Sequence, residues 1–251
     1  MSMKVVIPAA GQGTRLRPHT DSIPKCMVEV AGRPMLMRTL DTLNKAGLHD
    51  ISVVTGYKQE RIPGRGIKKY TNPNYETTNM VYSIFCAEQE FDDDLIICYG
   101  DILFTQDVIQ KLIDSPAPLS VIVDRDWQRQ WEMRMEDPLN DAETMKINAE
   151  GNITELGKKP KALTEIEGQY IGLVKISKEA LPEVRRFYHG LDKKALYNGQ
   201  PFEKMYVTDF VQLIIDNLMP AKAVWINGGW FEVDTVSDLE LINERYNDII
   251  A

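Results

Sequence analysis

The sequence predicts an open α/β fold: a mostly parallel sheet with helices on both faces, a Rossmann-like arrangement, carrying a smaller lobe. Three observations predict it. Short apolar runs at 5–7, 51–54, 95–99 and 119–123 alternate with stretches of helical periodicity. The first run leads straight into a loop of small residues, Ala9-Ala10-Gly11-Gln12-Gly13-Thr14. At 251 residues the chain can bury one large α/β domain, or one domain with an inserted lobe.

Taken in order, Val5-Val6-Ile7 reads as a buried strand that breaks at Pro8. Residues 34–46 carry Met35, Leu36, Leu40 and Leu43 at helical spacing and stop at Gly47. After the strand at 51–54 comes 61–74, punctuated by Pro63, Gly64, Gly66 and Pro73, which reads as a loop. Residues 78–90 read as a helix with Val81, Tyr82, Phe85 and Cys86 on one face. The strand at 95–99 ends in Gly100-Asp101, and Thr105 caps a helix through Ile113.

Beyond Val123 the pattern changes. The span 125–141 is rich in charge and tryptophan, and 144–147 with 153–156 flank a plausible hairpin turn at 148–152. A strand is expected at 169–176, a helix at 177–189, a helix capped by Thr208 and running to Asn217, a strand at 221–226 and a closing helix at 235–249. In open α/β sheets ligands bind beyond the carboxyl ends of the strands. The glycine loop, Gly56 and Asp101 all follow strands, so they share one edge.

Lys and Arg total 29 against 37 Asp and Glu, a formal net charge of −8. An acidic surface argues against nucleic acid or an anionic membrane as partner. The sequence leaves a homo-oligomer open. Cys26, Cys86 and Cys98 have no metal-ligand spacing and read as free thiols of a reducing compartment; with no signal-peptide core and no membrane-length apolar run, a cytoplasmic protein is expected.

The glycine loop is followed by Arg15, Arg17 and, after Pro24, Lys25. Exposed backbone N–H groups backed by cations suit a polyanion such as a triphosphate. A Walker loop needs Gly-Lys-Ser/Thr where this chain has Gly13-Thr14-Arg15, and the dinucleotide fingerprint needs a small residue where Leu16 stands. The second test also disfavours a nicotinamide-dependent dehydrogenase. What remains, G-x-G-T-R-L-R-P followed by P-K-x-M and G-x-P, closely resembles the signature of the sugar-nucleotidyltransferase superfamily. The ending Glu232-Val233-Asp234-Thr235-Val236-Ser237-Asp238 is especially close to that superfamily's phosphocholine-type cytidylyltransferase branch.

The resemblance implies a nucleotidyltransferase fold spanning 1–251, with roughly 125–205 as an acceptor-binding lobe folded onto it. It implies a Mg²⁺-dependent transfer of CMP from CTP to a small phosphorylated acceptor, with pyrophosphate released. Ala9, Ala10, Gly11, Gly13, Thr14, Arg15, Thr78, Asn79, Ser83 and Gly100 would bind nucleotide. Asn79 would serve equally as a helix cap. Arg15 and Lys25 would act on the phosphates, and Asp101, Glu232 and Asp234 would hold the metal. On an extended segment Glu232 and Asp234 face the same way, so they could grip one ion, while Asp238 serves the helix dipole.

No general base is required, because a phosphate acceptor with a second pKa of about 6 is already ionised. His19, His49 and His189 therefore read as surface or helix-end residues.

For the acceptor, Trp127, Trp131, Tyr170 and Trp230 suit a quaternary ammonium cage, whereas Arg125, Arg129 and Arg134 suit a carboxylate or second phosphate. The branch uses phosphocholine, aminoethylphosphonate or phosphoglutamine, and the arginines favour an amino-acid-like, anionic acceptor. The nearest rival is a sugar-1-phosphate nucleotidylyltransferase using UTP or dTTP. A non-catalytic nucleotide-binding regulator would be expected to lack a metal carboxylate, and none is missing.

Overall fold

The computed structural model describes residues 3–250. β1 (Met3–Ala9) leads through the glycine loop to a small ribbon, β2 (Glu29–Val30) with β3 (Arg33–Pro34), and then α1 (Met35–Lys45). Next come β4 (Asp50–Thr55), β5 (Lys68–Thr71), α2 (Met80–Phe85), β6 (Asp94–Cys98) and β7 (Ile102–Phe104). α3 (Gln106–Asp114), β8 (Leu119–Asp124) and α4 (Trp127–Arg134) follow, then β9 (Met145–Ile147), β10 (Asn152–Leu156) and β11 (Gln169–Ile176). α5 (Leu181–Gly190), the ribbon β12 (Leu196–Tyr197) with β13 (Gln200–Pro201), and α6 (Val207–Asn217) precede β14 (Ala221–Ile226), β15 (Trp230–Glu232) and α7 (Val236–Ile249).

Nine strands form one open sheet in the order β5-β4-β1-β6-β11-β8-β14-β10-β9. It is parallel from β5 through β6 and again between β8 and β14, whereas β11 runs antiparallel to both its neighbours, β6 and β8. Residues 125–205 thus contribute three strands, β9, β10 and β11, to the same sheet. The alternation along β1 sends Val5 and Ile7 into one core and Val6 into the other. The helices α1, α3 and α4 cover the first face, and α2, α5 and α6 the second. A third core, with Leu16, Leu103, Phe231 and Leu239, seats α7. No helix among the described residues is long and apolar enough to cross a membrane.

Several local expectations are corrected. β1 does not break at Pro8 but continues to Ala9. Its ladder to β6 ends at Val6, so the missing N–H of Pro8 costs no bond on that side. The span 61–74 hides β5, an edge strand exposed except at the half-buried Tyr70, with no apolar run. The expected helix at 78–90 is α2 alone plus a short 3₁₀ turn at Glu88–Glu90. Thr208 lies inside α6, whose cap is Tyr206. The helix expected from 177 begins at Leu181, and α4 was not foreseen at all.

The sheet is tied at its far end by one carboxylate. Glu90, 6% exposed, accepts from Lys4 Nζ (2.9 Å), Lys68 Nζ (2.7 Å) and Tyr70 Oη (2.5 Å), joining β1, β5 and the turn after α2. Burial alone would raise its pKa, but the hydrogen bonds from Lys68, Tyr70 and Lys4 outweigh it and hold the group at about 2, below its ordinary 4.5.

A depressed folded-state pKa contributes stability above the unfolded value and loses it as pH falls through the folded value. Glu90→Gln should therefore be less stable than the native chain by about 2–3 kcal/mol at pH 7. Urea unfolding at several pH values should show that gap shrinking between pH 4.5 and about 2. A gap that stays constant through that window would mean the cluster contributes packing rather than charge.

Candidate active site

β1 has β4 on one side and β6 on the other, so the chain reverses its direction of travel across the sheet beside β1. A crevice opens at such a switch point, beyond the carboxyl ends of the strands. Here it is a cavity of about 300 Å³ containing all ten residues expected to bind nucleotide. Ala9, Ala10, Gly11, Gly13 and Thr14 form one wall with Arg15, and Thr78, Asn79, Ser83 and Gly100 line the same space. Asn79 also acts as the cap of α2, its side chain accepting from Met80 N at 2.8 Å. Tyr75, Met80 and Cys26 line the cavity too, and nothing in their sequence context singled them out. Cys26 is no nucleophile there, because burial pushes its thiol up to about 12.

Gly13 is required by geometry. Its φ is +63°, and a Cβ there would stand 2.8 Å from Lys25 Cβ. The loop is thus packed against the lysine it precedes. Lys25 Nζ in turn lies 2.7 Å from Asp101 Oδ2 and 2.6 Å from Asp234 Oδ1, and Arg15 Nη2 lies 2.5 Å from Asp234 Oδ2. Burial would lower the Lys25 pKa, but the charges of Asp101, Asp234 and Glu232 outweigh it and keep the ammonium protonated.

The carboxylates meet because β15 pairs antiparallel with β7. Glu232 is opposite Ile102, and Val233 N donates to Asp101 O at 3.0 Å. The expected set of three carboxylates is nevertheless not gathered around one point. No group of three or more His, Cys, Asp or Glu among the described residues could hold a metal ion. Lys25 stands between Asp101 and Asp234, while Glu232 Oε2 is drawn to Arg134 Nη1 at 3.1 Å. Asp101 Oδ1 remains buried without a hydrogen-bond partner.

A second cavity, of about 260 Å³, adjoins the first, and the two share Arg15, Met80 and Asp234. Of the residues expected to bind the acceptor, Trp131, Tyr170 and Trp230 line it. The others do not. Trp127 is core, 4% exposed. Arg129 is exposed on the outer face of α4, and Arg125 lies over the Trp225 ring at 4.5 Å. Arg134 is buried and turned to Asp238: Nε and Nη2 donate to Asp238 Oδ1 and Oδ2 at 2.9 and 3.2 Å. Helical spacing turns Arg129 away from Trp127 and Trp131, whereas Arg134, three residues on from Trp131, lies over its ring at 5.5 Å.

Asp238 therefore does more than serve the helix dipole. It accepts from Asp234 N (3.1 Å) and Thr235 N (2.9 Å) within the capping box of α7, so Arg134 braces the backbone of Asp234. The remaining polar lining of the second cavity, Asp141, Glu143, Gln169, Tyr206 and Thr208, was missed. These residues come from three separate stretches of chain, and no local motif marks them.

The family described as MobA-like NTP transferase domain matches residues 5–200. CTP:phosphoglutamine cytidylyltransferase of Campylobacter jejuni is 44% identical over 255 aligned residues, covering 97% of this chain and 100% of that protein. UTP–glucose-1-phosphate uridylyltransferase of Haloferax volcanii is 32% identical over 169 residues, covering 63% of this chain and 66% of that protein. The solved structure of CTP:phosphocholine cytidylyltransferase from Streptococcus pneumoniae matches with a TM-score of 0.72 at 19% identity, over 98% of this chain and 100% of that one, a likeness of fold.

Removing Arg134 would leave Asp238 and Glu232 without their buried counter-ion. Arg134→Ala should cost about 3–5 kcal/mol in urea unfolding. Arg134→Lys should recover only part of that, since an ammonium cannot replace the two-pronged contact. A loss below about 1 kcal/mol in Arg134→Ala would show that water solvates the pair adequately.

Proposed function

The chain belongs to the MobA-like NTP transferase family, and from that premise we propose that it transfers CMP from CTP to a phosphorylated amino acid, phosphoglutamine, releasing pyrophosphate. The observation that carries this reading is the pair of adjoining cavities with Arg15 and Asp234 at their junction. The near-complete alignment with the phosphoglutamine enzyme supports the choice of nucleotide and acceptor. The glycine loop and its cations belong to the first cavity, so the triphosphate lies there and the acceptor approaches from the second.

In this arrangement an acceptor phosphate oxygen attacks the α-phosphorus, and the bond to the β-phosphate oxygen breaks in line with it. The acceptor is an anion before it arrives, so no side chain needs to remove its proton. All three histidines are exposed. The protein's task is to bring two anions together, which it performs by positioning and charge. Lys25 and Arg15 exchange carboxylate partners for phosphate oxygens, with Arg15, at the junction, placed for charge building on the leaving pyrophosphate.

Asp101 and Asp234 fit a divalent cation, because the buried Oδ1 of Asp101 has a lone pair that no protein donor claims. Mg²⁺ held there would supply neutralisation of the phosphate charge. The three cysteines are free thiols, which supports a reducing, cytoplasmic setting.

Pyrophosphate release with CTP, UTP, dTTP and ATP, each against phosphoglutamine, phosphocholine and glucose 1-phosphate, tests the assignment. CTP with phosphoglutamine should lead; turnover led by UTP or dTTP with the sugar phosphate would replace this reading with the uridylyltransferase one. Asp101→Asn should fold and lose nearly all turnover, and near-normal kcat in a folded variant would remove Asp101 from the reaction. Lys25→Ala should lower kcat by about 10²–10³. A raised KM with kcat intact would make the lysine a uniform binding residue instead.

A further inference from the structure

The second cavity holds a carboxylate that the transfer reaction does not use. Glu143 lies just before β9, and its backbone is held by the Gln169 side chain on both sides: Glu143 N donates to Gln169 Oε1 at 3.0 Å, and Gln169 Nε2 donates to Glu143 O at 2.5 Å. Its own carboxylate meets only the Thr208 hydroxyl, at 3.5 Å, the limit of hydrogen-bond reach. The charges nearest to it are acidic, those of Asp209, Asp141 and Glu232. Burial first, and those like charges second, push its carboxyl up to about 7. A carboxylate so placed lacks a cation.

A second orphan faces the same space. The Tyr170 hydroxyl is buried with no hydrogen-bond partner, and its ring stands edge-on to Tyr99 with centroids 5.5 Å apart. Asp141, by contrast, is already used, since its Oδ2 accepts from Trp131 Nε1 at 3.1 Å. The one lining cation is Arg15, at the junction with the nucleotide cavity. The cavity is therefore cationic at its mouth and anionic at its wall, the complement of a ligand with a phosphate at one end and a positive charge at the other.

We propose that Glu143 is the counter-ion for a primary ammonium group on the acceptor, with the Tyr170 hydroxyl accepting a second N–H from that group. The proposal rests on reading the chain as a cytidylyltransferase and specifies the acceptor class as amino-bearing phosphates. A primary ammonium offers three donors, enough for both orphaned oxygens. A trimethylammonium head gains from the aromatic walls but offers no N–H, and a sugar phosphate leaves Glu143 buried and unpaired.

The test uses the full chain with an α,β-methylene analogue of CTP, and reads acceptor binding from tryptophan fluorescence and by calorimetry. Aminoalkyl phosphates of two to five carbons are compared with alkyl phosphates of equal length. At one or more lengths the amino compound should bind at least tenfold more tightly, and its trimethylated form should fall between the two. Glu143→Gln should abolish that preference, leave the alkyl phosphates unchanged and keep the affinity for the CTP analogue.

Equal binding of amino and alkyl phosphates by the native chain at every length overturns the proposal without any variant. So does a Glu143→Gln protein that weakens both series alike. A native chain that shows the preference, yet forms no CDP-linked product with any acceptor, overturns the cytidylyltransferase reading and leaves the ammonium site standing.

Discussion

The ammonium of Lys25, held between Asp101 and Asp234, is the contact on which the rest of the site depends. It joins three places separated widely in sequence: the segment after the glycine loop, the end of β6 and the exit of β15. All three side chains are largely buried, so each charge needs a counter-charge beside it. Together they are neutralised, with Arg15 completing the balance at Asp234. The same balance makes the site responsive to a polyanion. Phosphate oxygens offer Lys25 and Arg15 alternative partners, and the carboxylates they release then need a different cation. Charge exchange of this kind needs no movement of the sheet.

Arg134 extends that balance into the acceptor side. Its guanidinium holds Asp238, which receives the backbone N–H of Asp234, and it also draws Glu232. Glu232, which lines the second cavity, and Asp234, which lines both, are therefore referenced to one helix, α4. Burial raises the Glu232 pKa to about 7 even though Arg134 opposes it.

The legible parts of this structure are those coded locally. The apolar runs, the glycine loop and the Thr235 cap each announce themselves within a few residues, and all ten nucleotide-cavity candidates stand together. β5 was illegible because an edge strand needs no apolar run, and its register comes from β4. α4 was obscured because tryptophan and charge alternate without a clean stripe; its burial is set by Trp127, Gln130 and Trp131 against distant elements. Glu143 could not be found from sequence at all. What makes it notable is the absence of a neighbouring cation in space.

The acceptor side also shows why adjacency in sequence is a poor guide to charge in a pocket. Arginines and tryptophans interleave between 125 and 134, which suggested a cavity lined by both. On a helix, residues separated by three or four positions share a face, and immediate neighbours do not. Arg129 consequently turns to solvent, while Arg134, three residues on from Trp131, lies over its ring at 5.5 Å and is held there by Asp238 as Trp131 reaches the cavity. The polarity of the pocket is thus reversed from the sequence expectation. Among the described lining residues, positive charge is confined to Lys25 and Arg15, beside the glycine loop, and the wall beyond them carries Asp141, Glu143 and Glu232. A uniformly anionic acceptor would be repelled by that wall. A zwitterion complements it, in keeping with the amino-bearing acceptor proposed above.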